Sequence, residues 1–125
     1  MFKLGGGAVS IPAARHRDLQ ELPAATSTDA ATLAQGQALF FSRCRACHAS
    51  GGEKTANAYP DLWNLPPATH SAFESIVLKG ILSYAGMPSF SDALSAEDVR
   101  AIQAFIIADE IKARTQTAAP ASAGP

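Results

Sequence analysis

Cys44-Arg45-Ala46-Cys47-His48 is the stretch that decides how this chain folds. Upstream of it Leu33, Gly36, Phe40 and Cys44 recur at steps of three and four, so they share one face of a helix that runs into the motif. Residues three apart at a helix end project the same way, which aims both thiols at one object. The 125 residues contain only these two cysteines, too few for the disulfide framework of a small secreted domain. His48 places an imidazole beside the second thiol.

The spacing C-x-x-C-H is the signature of c-type haem attachment, in which Cys44 and Cys47 add to the two vinyl groups of one porphyrin and His48 is held under the iron. Rival readings use the same atoms. A thioredoxin-type pair belongs after a strand, and no alternating strand pattern precedes Cys44. A structural zinc site would need Cys44, Cys47, His48 and either His16 or His70, without a second paired ligand motif. A plain disulfide here would close a loop of two intervening residues and constrain the unfolded chain little.

A low-spin electron carrier wants its iron closed on both faces, and Met87 is the only internal methionine. Pro88 pushes Met87 out of the helical region, and Gly86 leaves room for the backbone to approach a flat ligand. Met87 is therefore the expected second axial ligand. His70 reads as a surface or capping residue ahead of a helix, and His16 lies in an N-terminal arm.

Outward from the motif, Ser27-Thr28-Asp29 caps a first helix over Ala30–Phe41. Gly36 on its buried face invites a second helix to approach closely. Ser71-Ala72-Phe73-Glu74 has the capping-box pattern ahead of a short helix that Gly80 ends. Ser95-Ala96-Glu97-Asp98 opens the longest amphipathic segment: Val99, Ile102, Phe105 or Ile106, and Ile111 face inward, while Glu97, Arg100, Gln103, Glu110 and Lys112 mostly take the other side. Gly51-Gly52, Pro60, Pro66-Pro67 and Gly86-Met87-Pro88 fall between the helices, so the domain reads as all-α with long loops.

Residues 1–27, with Gly5-Gly6-Gly7, Pro12 and Pro23, read as a linker or wrapped arm, residues 28–114 as the domain, and 115–125 as a flexible, uncharged tail. Ten Lys+Arg against eleven Asp+Glu, without a run of like charge, argue against nucleic-acid binding. No stretch approaches the ~20 apolar residues that span a bilayer. The glycines near the N-terminus interrupt any signal-like apolar run, so an export signal, if the protein has one, is expected outside this sequence. A domain this small buries only roughly 60–65 % of its unfolded surface, which suits a bound group that supplies part of its interior.

With Gly36 and Phe40 ahead of Cys44, Pro60-Asp61-Leu62 downstream, Gly86-Met87-Pro88 and a last helix bearing Phe105, residues 28–112 resemble a class I cytochrome c. The resemblance implies three or more helices wrapped around one covalently attached haem c, with the N- and C-terminal helices crossed near Gly36, Phe40 and Phe105. It implies that the Pro60 carbonyl accepts the proximal N–H of His48. More narrowly, Phe73–Gly80, Gly86–Phe90 and Asp98–Ile106 are similar to the C-terminal haem domain of quinohaemoprotein alcohol dehydrogenases. There a propeller holding pyrroloquinoline quinone (PQQ) precedes the cytochrome, and Phe2-Lys3-Leu4-Gly5-Gly6 resembles the close of its last strand, within residues 1–7.

That resemblance implies a periplasmic one-electron carrier. It would take electrons from a PQQ dehydrogenase domain, and PQQ would sit only on that absent domain. A small redox protein or the respiratory chain would be the acceptor. The chain itself would catalyse no substrate conversion. Alternatives are a free-standing electron carrier, a sensory haem module in which Met87 dissociates, and a metal-bound or thiol-redox interaction module. Two departures stand out: Ala49 follows His48 where the family commonly has Gly, and Trp63 follows Pro60-Asp61-Leu62 where the dehydrogenase domains often have Arg. The Trp63 indole is expected either to donate to a haem propionate or to form a half-buried lid.

Overall fold

The computed structural model describes residues 19–48 and 59–118. The proposed propeller remnant at 1–7, His16, Ala49, Gly51-Gly52 and residues 119–125 lie outside them. Among the described residues there are four α-helices and two short 3₁₀ turns and no strand: α1 (Ala30–Arg43), α2 (Pro67–Ser71), α3 (Phe73–Leu78) and α4 (Ala96–Ala118).

Helix α1 starts where its cap residues place it. Asp29 Oδ2 accepts from the Thr32 backbone N–H at 2.9 Å and from its hydroxyl at 2.8 Å, which satisfies one of the unpaired donors of the first turn. Helix α4 opens on a reciprocal box in which the Asp98 N–H donates to Ser95 Oγ (3.1 Å) and the Ser95 N–H donates to Asp98 Oδ2 (3.0 Å). It continues to Ala118, past the boundary drawn at 114.

α1 and α4 cross with Gly36 against the Ala101 main chain and the Phe105 Cβ. One turn on, the fully buried Phe40 ring meets Phe105 at 5.8 Å and Trp63 edge-on at 5.3 Å. Around it Leu65, Phe73, Val77, Leu94, Val99, Ile102 and Ile106 complete the core. Burying a ring of this size contributes roughly 2–3 kcal/mol.

The middle of the chain departs from expectation. Pro67 is the first residue of α2, because a proline lacks only an N–H that no helix partner would have used there. Ser71 belongs to this turn and donates its hydroxyl to the Pro67 carbonyl at 3.2 Å, so it is not free to cap α3, whose N-cap is Ala72 without a side-chain bond. Gly80 then ends the α3 segment with φ +64, and the loop returns as the Phe90 N–H bonds the Val77 carbonyl at 2.8 Å.

Candidate functional site

Cys44 is the C-cap of α1 and donates its N–H to the Phe40 carbonyl at 2.9 Å. The next turn winds on: the Cys47 N–H reaches the Cys44 carbonyl at 3.2 Å and the His48 N–H reaches it at 2.8 Å. Cys44 is half-buried against the core cluster and Cys47 is exposed. His48 is buried, with Nδ1 3.1 Å from the Pro60 carbonyl oxygen and the Tyr59 ring edge-on at 6.1 Å. An N–H on Nδ1 donating to that carbonyl leaves the Nε2 lone pair free to bind a metal.

Burial, and secondarily the neighbouring Cys47, push the Cys44 thiol up to about 11. A thiol–disulfide exchange site needs the opposite shift, and no strand precedes the motif among the described residues. The zinc reading also draws on His16, which lies outside the described residues. Among the described residues no three His, Cys, Asp or Glu side chains converge as a metal site. His70 lies inside α2, where Gln103 of α4 donates to its carbonyl at 2.9 Å and stands 3.4 Å from its Nδ1. It is thus a half-buried residue within a short helix rather than the residue ahead of one, and burial lowers its pKa.

Met87 is half-buried against the same apolar cluster that Cys44 borders, as are Leu62, Leu78 and Phe90. Gly86 sets the loop up with φ +97, and the Met87 N–H bonds the Leu82 carbonyl at 3.2 Å. Two thiols at i and i+3, an imidazole with one nitrogen engaged, and a thioether on an apolar rim form a donor set that fits a covalently held haem.

Trp63 is almost wholly buried, and its indole N–H donates to Asp109 Oδ2 at 2.8 Å, so that bond goes to protein rather than to a propionate. Glu110, expected on the solvent side, is 1 % exposed. It follows Ile106 at i+4 on the buried stripe, and Arg114 stands 2.7 Å from its Oε1. A sequence signal was present for Glu110, which stands four residues ahead of Arg114.

The model of the family described as "Cytochrome C oxidase, cbb3-type, subunit III" matches residues 31–106. Quinohemoprotein alcohol dehydrogenase ADH IIB of Pseudomonas putida is 32% identical over 111 residues, covering 88% of this chain and 16% of that protein. Cytochrome c6 of Microcystis aeruginosa is 32% identical over 79 residues, covering 62% of this chain and 96% of that protein. The solved structure of quinohemoprotein alcohol dehydrogenase ADHIIG from Pseudomonas putida HK5 superposes with a TM-score of 0.66 at 30% identity, covering 90% of this chain and 16% of that one. The chain thus spans about one sixth of the dehydrogenases it matches. With α1 and α4 crossed at Gly36 and the C-x-x-C-H turn at the end of α1, this chain is an electron-carrying cytochrome c domain and belongs to that cytochrome family.

Proposed function

We propose that the domain holds one haem c through thioethers to Cys44 and Cys47, with His48 and Met87 as axial ligands. It would accept single electrons from a PQQ alcohol dehydrogenase domain and pass them to a small redox protein or the respiratory chain in the periplasm. The observation that carries this reading is the approach of His48 Nδ1 to the Pro60 carbonyl, 3.1 Å, on a turn flanked by both thiols. When bound, the haem supplies a one-electron ferric/ferrous couple.

The chain's own residues account for the rest. The Pro60 carbonyl fixes the His48 tautomer and raises its basicity. Cys44 and Met87 pack on an apolar cluster that contains Phe40, and hydrocarbon beside the iron would disfavour the extra charge of the ferric state and raise the potential. Support for the donor comes from the likeness to quinohemoprotein alcohol dehydrogenases, ADH-IIG of Pseudomonas putida being 36% identical over 110 residues. A free-standing carrier is the second reading, favoured by the near-complete coverage of cytochrome c6.

The test is a reduced-minus-oxidised spectrum combined with the mass of the denatured protein. A mass increment of one haem and a low-spin spectrum with axial sulfur are expected. Acid–acetone extraction that removes all colour and leaves two free thiols would overturn the reading.

A further inference from the structure

Pro60 leads into a 3₁₀ turn, Leu62–Asn64, and a single turn of this kind has little rigidity of its own. Within it the Asn64 N–H bonds the Asp61 carbonyl at 3.2 Å, and Asp61 Oδ1 caps the Trp63 N–H at 2.9 Å. Beside the bond from Arg114 Nη2 to Asn64 Oδ1 at 3.0 Å, what ties the turn to α4 is Trp63. Its ring is wedged edge-on against Phe40 at 5.3 Å and Phe105 at 6.4 Å, and its one polar atom is held by Asp109 of α4 at 2.8 Å. Three residues before Trp63 stands the carbonyl that His48 Nδ1 approaches.

We infer that Asp109 is a positioning residue for His48: through Trp63 it holds the Pro60 carbonyl in register with the imidazole N–H and so sets the basicity of the opposite nitrogen. The inference rests on the proposed role of His48 as an iron ligand. Hydrogen bonds weaken steeply with misalignment, so a turn free to shift by a few tenths of an ångström would donate less electron density through the ring. Aromatic packing alone lets an indole slide in its own plane, whereas a carboxylate on its N–H fixes that last freedom. In this chain Trp63 therefore serves the proximal side of the site, where an arginine at the same position would place a charge.

The test uses the haem-loaded protein with Asp109→Leu, Asp109→Asn and Trp63→Phe. The readouts are solvent exchange of the His48 Nδ1–H by NMR in the reduced state, the midpoint potential, and far-UV circular dichroism to confirm folding. Leu removes both acceptor and charge; Asn keeps an acceptor oxygen without the charge. Exchange should quicken about tenfold in Asp109→Leu and Trp63→Phe and stay near the parent rate in Asp109→Asn. A weaker Nδ1–H bond makes His48 a poorer donor, so the potential should rise in Asp109→Leu. Should Asp109→Leu fail to fold, Trp63→Phe against Asp109→Asn decides the matter. Parent-like exchange in Trp63→Phe, or exchange in Asp109→Asn as fast as in Trp63→Phe, overturns the inference while the function reading stands. A parent protein without covalent haem overturns both.

Discussion

Gly36 lies so close to Ala101 that a methyl group added to it would collide with the Ala101 carbonyl oxygen and come within 2.9 Å of the Phe105 Cβ. Both obstacles are fixed by α4, one of them backbone, so neither can swing aside. In an isolated helix alanine would outperform glycine by about 1 kcal/mol. Here Gly36→Ala is expected to destabilise the protein by about 1–3 kcal/mol, because the helices must separate to admit the methyl. Urea unfolding measures this, and a variant as stable as the parent would mean that α1 and α4 do not touch at Gly36 in solution.

Glu110 links stability to pH. Burial pushes its carboxyl up to about 7, the Arg114 guanidinium opposing the shift and Asp61 adding to it, whereas the unfolded chain titrates near 4.5. Between those values the folded protein binds a proton that the unfolded chain lacks, so this contribution is full below about pH 4.5 and lost as pH rises to 7. Its size is on the order of 3 kcal/mol. Denaturant midpoints at pH 5 and pH 8 should differ in the parent and draw together in Glu110→Gln; equal slopes in the two proteins would remove Glu110 as the source.

Arg114 fastens the N-terminal arm. Its Nη1 donates to the Gln20 carbonyl at 2.6 Å and its Nη2 to Asn64 Oδ1 at 3.0 Å, while the Gln20 N–H donates to the same oxygen at 2.7 Å. Removing the guanidinium leaves Glu110 buried without its cation. Arg114→Ala should therefore cost about 3 kcal/mol at pH 8, where Glu110 is charged, and much less at pH 5. Amide exchange at Gln20 should quicken at both pH values, and protection equal to the parent's would show that the arm is held by other means.

Much of this arrangement was legible in the sequence, and the gaps have physical causes. The cap at Asp29, the Gly36 crossing and the Ser95 opening of α4 are local or periodic signals, and local signals survive folding. At Ser71 two local signals competed for one hydroxyl, and Pro67 at the first helical position decided the outcome. Glu110 has the polarity of the solvent face but the position of the Ile102 and Ile106 stripe; a carboxylate enters that stripe only with a partner, and Arg114 supplies it. The Trp63–Asp109 bond joins residues 46 apart in sequence, beyond the reach of any periodicity.

The proposed axial role of Met87 is what would separate an electron carrier from a ligand sensor. Its loop is shaped by Gly86 at φ +97 and by the bond from its own N–H to the Leu82 carbonyl, so the thioether is delivered to the apolar rim by a constrained turn rather than by a free strand. A constrained ligand returns quickly after dissociation, and a carrier benefits because nothing has to rearrange when the charge changes. The reduced parent protein is accordingly expected to resist carbon monoxide at neutral pH. Met87→Ala should bind it readily and show a lower midpoint potential, since the thioether favours the ferrous state. Gly86→Ala forces a side chain into the left-handed region at a cost of about 1 kcal/mol, so it should loosen the loop and give partial carbon monoxide binding with Met87 still present. Rapid binding by the parent would favour the sensory reading, and an unchanged potential in Met87→Ala would remove Met87 from the site.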